Sequence, residues 1–169
     1  MCERNDWAVL FDLDETLVLT NALEPLRRAR KWNEVYAAFS QSSLPTGTLE
    51  FLEGISRMAR VGIVTKAPRR YAEKLLAYHK VGLPVIVAYH DVKRVKPDPE
   101  GLLLASEKLG IPPSKCIYVG DDRNDMQAAQ AAQFTPIGVR WGEPFDIGFE
   151  PVCRGWDAVH RQILRHIAK

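Results

Sequence analysis

Residues 8–17 read AVLFDLDETL, from Ala8 through Phe11 and Asp12 to Leu17. Four consecutive apolar residues, Ala8 to Phe11, are too short a run for a core helix. They do not alternate with polar residues either, so they predict a strand buried on both faces, as strands of parallel sheets are. The run ends in acid, at Asp12 and again at Asp14. Four more short apolar runs have the same character: Val61 to Val64, Val85 to Ala88, Cys116 to Val119 and Pro136 to Val139. Helical stripes lie between them. Leu49, Leu52, Ile55 and Met58 form one, Tyr71, Leu75 and Tyr78 a second, and Leu102, Ser106 and Leu109 a third, which Gly110 and then Pro112 and Pro113 stop. Met126, Ala129 and Ala132 mark a small-residue helix suited to close packing on a sheet. Strands alternating with helices predict an α/β fold, a Rossmann-like, doubly wound parallel sheet of about five core strands, with chemistry at the carboxyl ends of the strands.

One segment interrupts the alternation. Leu23, Leu26, Trp32, Tyr36 and Phe39 predict an extra amphipathic helix, followed by the turn-rich run from Gln41 to Gly47. This cap-like insertion, about residues 20–48, is long enough to cover a site and too short to be an independent domain. The expected organisation is therefore one catalytic domain over residues 1–169. Trp156 to Ala168 reads as a closing helix with Trp156, Val159, Ile163 and Ile167 on one face. A net charge of +2 demands neither nucleic acid nor a membrane as partner. Cys2, Cys116 and Cys153 are odd in number and lack paired spacing, which argues against a disulfide framework or a zinc site. With no signal-peptide pattern and no membrane-length apolar run, the expected location is cytoplasmic.

Acids gather after two separate strands: Asp12 and Asp14 after the first, Asp121, Asp122 and Asp125 after the fourth. In a parallel sheet those ends lie on one side, where several carboxylates would repel one another without a cation. A hard divalent ion with oxygen ligands, Mg²⁺, suits such a cluster. Across the same edge the second strand delivers Thr65, and the third leads into Lys96. A hydroxyl and an ammonium facing carboxylates and a metal are what a phosphoryl group needs.

Phe11 to Leu17 resembles the first motif of the haloacid dehalogenase superfamily, a strand followed by Asp-x-Asp-x-Thr. Gly62 to Thr65 resembles the second motif, Lys96-Pro97 the third, and the run Gly120 to Asp125 the fourth, all in the family's order over residues 7–142. The resemblance implies a phosphatase of phosphate monoesters. Asp12 would be the nucleophile that forms an aspartyl phosphate, and Asp14 the acid and base. Mg²⁺ would be held by Asp12, the backbone carbonyl of Asp14 and Asp121. Thr65, Lys66 and Lys96 would bind phosphate, Asp125 would orient a metal-bound water or Lys96, and Asp122 would add negative charge beside the metal, with a direct or a water-mediated ligand role open to it. Two departures stand out. Asp122 replaces a small polar residue of many relatives, and the insertion is far shorter than a four-helix cap. The site is therefore expected to be open, taking a phosphorylated substrate either small or macromolecular, or roofed by a second subunit of a homo-oligomer. Nucleic acid enters only as a substrate.

Other readings stay beside these. The same aspartyl phosphate would serve a phosphotransferase or phosphomutase, and the fold without turnover would serve as a binding module. Asp122 and Asp125 at a helix N-terminus are favourable without any function. Trp141 either borders the entrance or is a packed indole. His90 lies in the loop toward Lys96, and His79, His160 and His166 read as surface residues. The basic run Arg27, Arg28, Arg30 and Lys31 reads first as a solvated helix face. If it touches function, it does so by screened attraction of extended anionic substrates.

Overall fold

The computed structural model describes residues 6–142, 148–150 and 152–167; Cys2, Ala168 and Lys169 lie outside them. Six parallel strands form one sheet: β1 (Ala8–Phe11), β2 (Arg60–Val64), β3 (Val85–Val87), β4 (Cys116–Gly120), β5 (Thr135–Val139) and β6 (Val152–Cys153). Their order is β3-β2-β1-β4-β5-β6. Successive strands step outward from β1 to β3, and the chain then returns to lay β4 on the other flank of β1. The order therefore reverses between β1 and β4, the place where open α/β sheets form their crevice. Asp12 and Asp121 follow those two strands, and the Asp12 amide still donates to Val119 O at 2.9 Å, holding the two ends side by side.

Seven α-helices flank the sheet among the described residues: α1 (Glu24–Arg28), α2 (Trp32–Ala37), α3 (Thr48–Ser56), α4 (Arg69–Tyr78), α5 (Glu100–Leu109), α6 (Arg123–Ala131) and α7 (Trp156–Ile167). The two-residue period of a strand sends alternate side chains to opposite faces. Val9 and Phe11 accordingly pack with Phe51 and Ile55 of α3, Tyr71 and Leu75 of α4, and Val159 and Ile163 of α7. Ala8 and Leu10 pack with Leu102 and Ala105 of α5 and with Ala128 and Ala129 of α6. Gly110, with φ of 66°, ends α5 in the left-handed conformation that favours glycine.

Two expectations change. The sheet has a sixth strand, β6, whose two residues are too few to show a periodicity. The single amphipathic helix expected over the insertion is two helices, α1 and α2, broken where Arg30 takes φ of 55°. The break turns Trp32 and Phe39 onto Tyr71 of α4, with ring centroids 6.0 and 6.1 Å away. A 2.7 Å hydrogen bond between Ser42 and His79 Nε2 pins the end of the insertion to the C-terminus of α4. His79 is thus half-buried rather than a plain surface residue, and His160 is half-buried beside Phe51. Among the described residues no helix is long and apolar enough to cross a membrane.

Candidate active site

The carboxyl ends of β1, β2 and β4 bound a depression of about 470 Å³ that Asp12, Asp14, Thr65, Lys66, Asp121 and Asp122 line together. Lys96 lies beneath it, its side chain only 2% exposed. The Lys96 ammonium donates to Asp12 Oδ1 at 2.8 Å, to Asp125 Oδ1 at 2.7 Å and to the Tyr118 hydroxyl at 2.7 Å. The Val64 carbonyl lies 3.0 Å from the same ammonium and also accepts the Tyr118 hydroxyl at 2.8 Å, so four acceptors share the three ammonium protons. Burial alone would lower the Lys96 pKa; the charges of Asp12 and Asp125 outweigh it and hold the ammonium well above its usual range. The role implied for Lys96 therefore divides. Its charge reaches Asp12, while its protons are engaged by protein acceptors rather than free for a phosphoryl oxygen.

Asp125 is fully buried at the start of α6. Its Oδ2 accepts the amides of Asp121 at 3.1 Å and Asp122 at 3.3 Å, so that, with Lys96 on Oδ1, both oxygens are occupied. Gly120 makes room for this carboxylate, since a Cβ there would stand 2.5 Å from Asp125 Cβ and Oδ2. Asp122 caps α6, its Oδ1 accepting the Asp125 amide at 2.8 Å, and its other oxygen lies 3.6 Å from Lys66 Nζ.

Carboxylate oxygens of Asp12, Asp121 and Asp125 lie within 4.8 Å of one another, a spacing that fits one metal ion. Asp125 has no oxygen to spare. Asp12 and Asp121 each have one: Asp12 gives Oδ1 to Lys96, and Asp121 Oδ1 accepts the buried Thr16 hydroxyl at 2.9 Å. Burial first, and then the charges of Asp12 and Asp125, push the Asp121 pKa up to about 9. A carboxylate so reluctant to ionise is one whose surroundings lack positive charge. The donor set is all oxygen, as Mg²⁺ requires.

Asp14 is held differently. Its Oδ1 accepts the hydroxyls of Thr20 and Tyr71, each at 2.7 Å, and is paired with Arg27 Nη1 at 2.6 Å. Burial and the Asp14 charge raise the Tyr71 pKa, so Tyr71 stays a donor to Asp14. The basic run is thereby split. Arg27 turns in toward Asp14 and is no part of a solvated face, whereas Arg28, Arg30 and Lys31 are exposed. The Thr65 hydroxyl accepts the Ala67 amide at 3.0 Å, which shapes the loop after β2. Trp141 is a packed indole whose Nε1 donates to Thr16 O at 2.9 Å, and His90 is exposed. Thr20, Tyr71 and Tyr118 complete the site without having been singled out from the sequence, and Arg27 joins it through Asp14 rather than as part of a solvated basic face.

The sequence model of the haloacid dehalogenase-like hydrolases matches residues 20–139. The chain belongs to the haloacid dehalogenase-like hydrolases. The matched residues begin after the Asp12 to Thr16 run, so the geometry of that run supports the family membership separately. Among curated relatives of this chain, the phosphoglycolate phosphatase of Escherichia coli K12 is 38% identical over 84 residues, covering 48% of the chain and 33% of the relative. The N-acetylmuramic acid 6-phosphate phosphatase of Pseudomonas aeruginosa is 35% identical over 127 residues, covering 71% of the chain and 54% of the relative. The chain thus spans a third to about half of the length of these relatives. Among solved structures, a hydrolase from Pseudomonas syringae superposes with a TM-score of 0.77 at 20% identity, covering 94% of this chain and 98% of that one. CbbY from Rhodobacter sphaeroides, in complex with phosphate, gives 0.74 at 19% identity, covering 88% and 94%. At those identities the superpositions speak to the fold.

Proposed function

We propose that this chain is a Mg²⁺-dependent phosphatase that hydrolyses phosphate monoesters through an aspartyl phosphate on Asp12. One observation carries the reading: Asp12 has one oxygen held by the buried Lys96 ammonium, and its other oxygen, which no donor among the described residues engages, belongs to a residue lining the depression beside Asp121. A carboxylate fixed in this way is a preorganised nucleophile. The names of two relatives, a phosphoglycolate phosphatase and an N-acetylmuramic acid 6-phosphate phosphatase, favour the same reaction and a small phosphorylated acid as substrate.

In this reading Asp121, the Asp14 carbonyl and the Lys96-held oxygen of Asp12, which keeps a second lone pair, would hold Mg²⁺, which would supply positive charge for the phosphoryl oxygens. The free Asp12 oxygen attacks phosphorus, forming the aspartyl phosphate as the ester P–O bond breaks. Asp14, having taken up a solvent proton on the oxygen that Arg27 does not hold, passes it to the departing alkoxide. A water then attacks the same phosphorus, Asp14 takes the water's proton, and inorganic phosphate leaves with Asp12 restored. Thr65 and Lys66 hold phosphoryl oxygens from the β2 side. Lys96 offsets the crowding of Asp12 and Asp125 and keeps the Asp12 oxygens oriented. Asp125 positions the Asp121 and Asp122 amides. The short insertion acts as a partial cap over the leaving-group side.

Phosphate release from a panel of phosphorylated small acids, sugars and an aryl phosphate tests this directly. Turnover is expected with Mg²⁺, lost with excess chelator and poor with Ca²⁺, whose looser coordination suits an octahedral site badly. Undiminished turnover in chelator would remove the metal from the mechanism.

A further inference from the structure

The depression over Asp12 is lined on its acidic side by Asp12, Asp14, Glu15, Glu24, Asp121 and Asp122, and its cations are Arg27 and Lys66. Lys66 sits on the rim near Asp122. Arg27 comes from the last turn of α1, in the insertion, and reaches inward with its side chain 21% exposed. Its Nη1 pairs with Asp14 and its guanidinium carbon lies 5.5 Å from the centre of the Tyr71 ring. A guanidinium has five N–H donors in a planar fork. Asp14 Oδ1 is its one hydrogen-bonding or ion-pair acceptor among the described residues, and its buried Nε has none. The insertion has thus placed in the acidic crevice a half-buried cation whose buried Nε is unmet, and an unmet buried donor costs stability.

We propose that Arg27 determines specificity by binding a carboxylate on the leaving-group side of the substrate. This rests on the phosphatase reading and adds the substrate class to it. The placement follows from Asp14. If Asp14 protonates the leaving oxygen, a group bound to a guanidinium already 2.6 Å from that same carboxylate lies close to the ester oxygen. The substrate that fits is a phosphate monoester with its carboxylate one or two carbons from that oxygen. Charge argues the same way. A second anion entering beside Glu15 and Glu24 is repelled unless a cation meets it. Lys96 is wholly engaged below the floor and Lys66 faces the phosphoryl group from the β2 side, which leaves Arg27, whose fork matches a carboxylate and whose weak hydration favours a half-buried pair. Trp32, which lines the same depression, gives the short carbon chain an apolar wall.

The test compares 2-phosphoglycolate with 2-hydroxyethyl phosphate, which differ in replacing the carboxylate by a neutral hydroxymethyl group. Arg27→Gln and Arg27→Lys are assayed with both esters in Mg²⁺, and binding of both is measured by calorimetry in an Asp12→Asn background. The ratio of kcat/KM for the acid over the neutral ester is expected to fall about tenfold or more in Arg27→Gln, mainly through KM, with part of it retained in Arg27→Lys. The same discrimination should appear in the binding constants. If both esters lose equally in Arg27→Gln, Arg27 merely positions Asp14 and the inference is overturned. Turnover of neither these esters nor an aryl phosphate by the unmodified protein would instead overturn the phosphatase reading, and this inference with it.

Discussion

At the residue scale the site is organised around a buried cation. Lys96 is the cation between Asp12 and Asp125, and breaking a buried pair by removing one partner costs about 3–5 kcal/mol, because the other charge stays buried alone. Lys96→Met should therefore lower unfolding stability in urea by about 3 kcal/mol as well as suppress turnover. An unchanged midpoint and slope would mean that Asp12 and Asp125 are not charged together in the folded protein. Asp12, Asp14, Thr65, Lys96, Asp121 and Asp125 were legible in the sequence because each follows, or leads from, an apolar run that ends abruptly. Tyr71 and Tyr118 were not, since one lies in a helical stripe and the other within a strand, and both read as core. Their hydroxyls reach the site through tertiary packing, which no local pattern records. Arg27 was hidden differently, within a run of bases whose other members do face solvent.

Among elements, the β4–α6 junction is the tightest. Gly120 ends the strand where Asp125 folds back over it, so Gly120→Ala should displace that carboxylate, with a loss of roughly 1–3 kcal/mol of stability and a fall in kcat. Retained stability and activity would show that the junction gives way more easily than its geometry suggests. Two residues on, Asp122 is accounted for by its capping bond to the Asp125 amide. Asp122→Ala should lower thermal stability by about 1 kcal/mol, and Asp122→Ser, which caps equally well, should not. Equal losses in both would point to the Lys66 contact rather than the cap. The strands β1 to β5 and the helices α3 to α7 were legible because their apolar periods are long or sharply bounded. The break between α1 and α2 was not. It falls at Arg30, a residue with no turn signature, and the tilted and edge-on packing of Trp32 and Phe39 against Tyr71 compensates for its left-handed backbone.

For the whole molecule, the sheet's switch point gathers more acid than the protein's own cations neutralise, and this ties stability to pH and metal. Asp121 has a folded pKa of about 9 against an ordinary carboxylate value of 3.8. A raised acid holds in the folded state a proton that the unfolded chain releases. Stability of the metal-stripped protein should therefore fall as pH rises from about 4 toward 9. Mg²⁺ binds the ionised cluster, so the increase in Tm on adding Mg²⁺ should grow over the same window. Thermal denaturation at several pH values, with chelator and with Mg²⁺, checks this; a metal effect independent of pH would place the ion elsewhere. The most direct measurement is phosphate release from an aryl phosphate in saturating Mg²⁺ by Asp12→Asn, which keeps the shape of the side chain but removes its nucleophilic carboxylate. If Asp12 accepts the phosphoryl group, turnover falls by about a thousandfold or more. Turnover close to that of the unmodified protein would contradict covalent catalysis at Asp12.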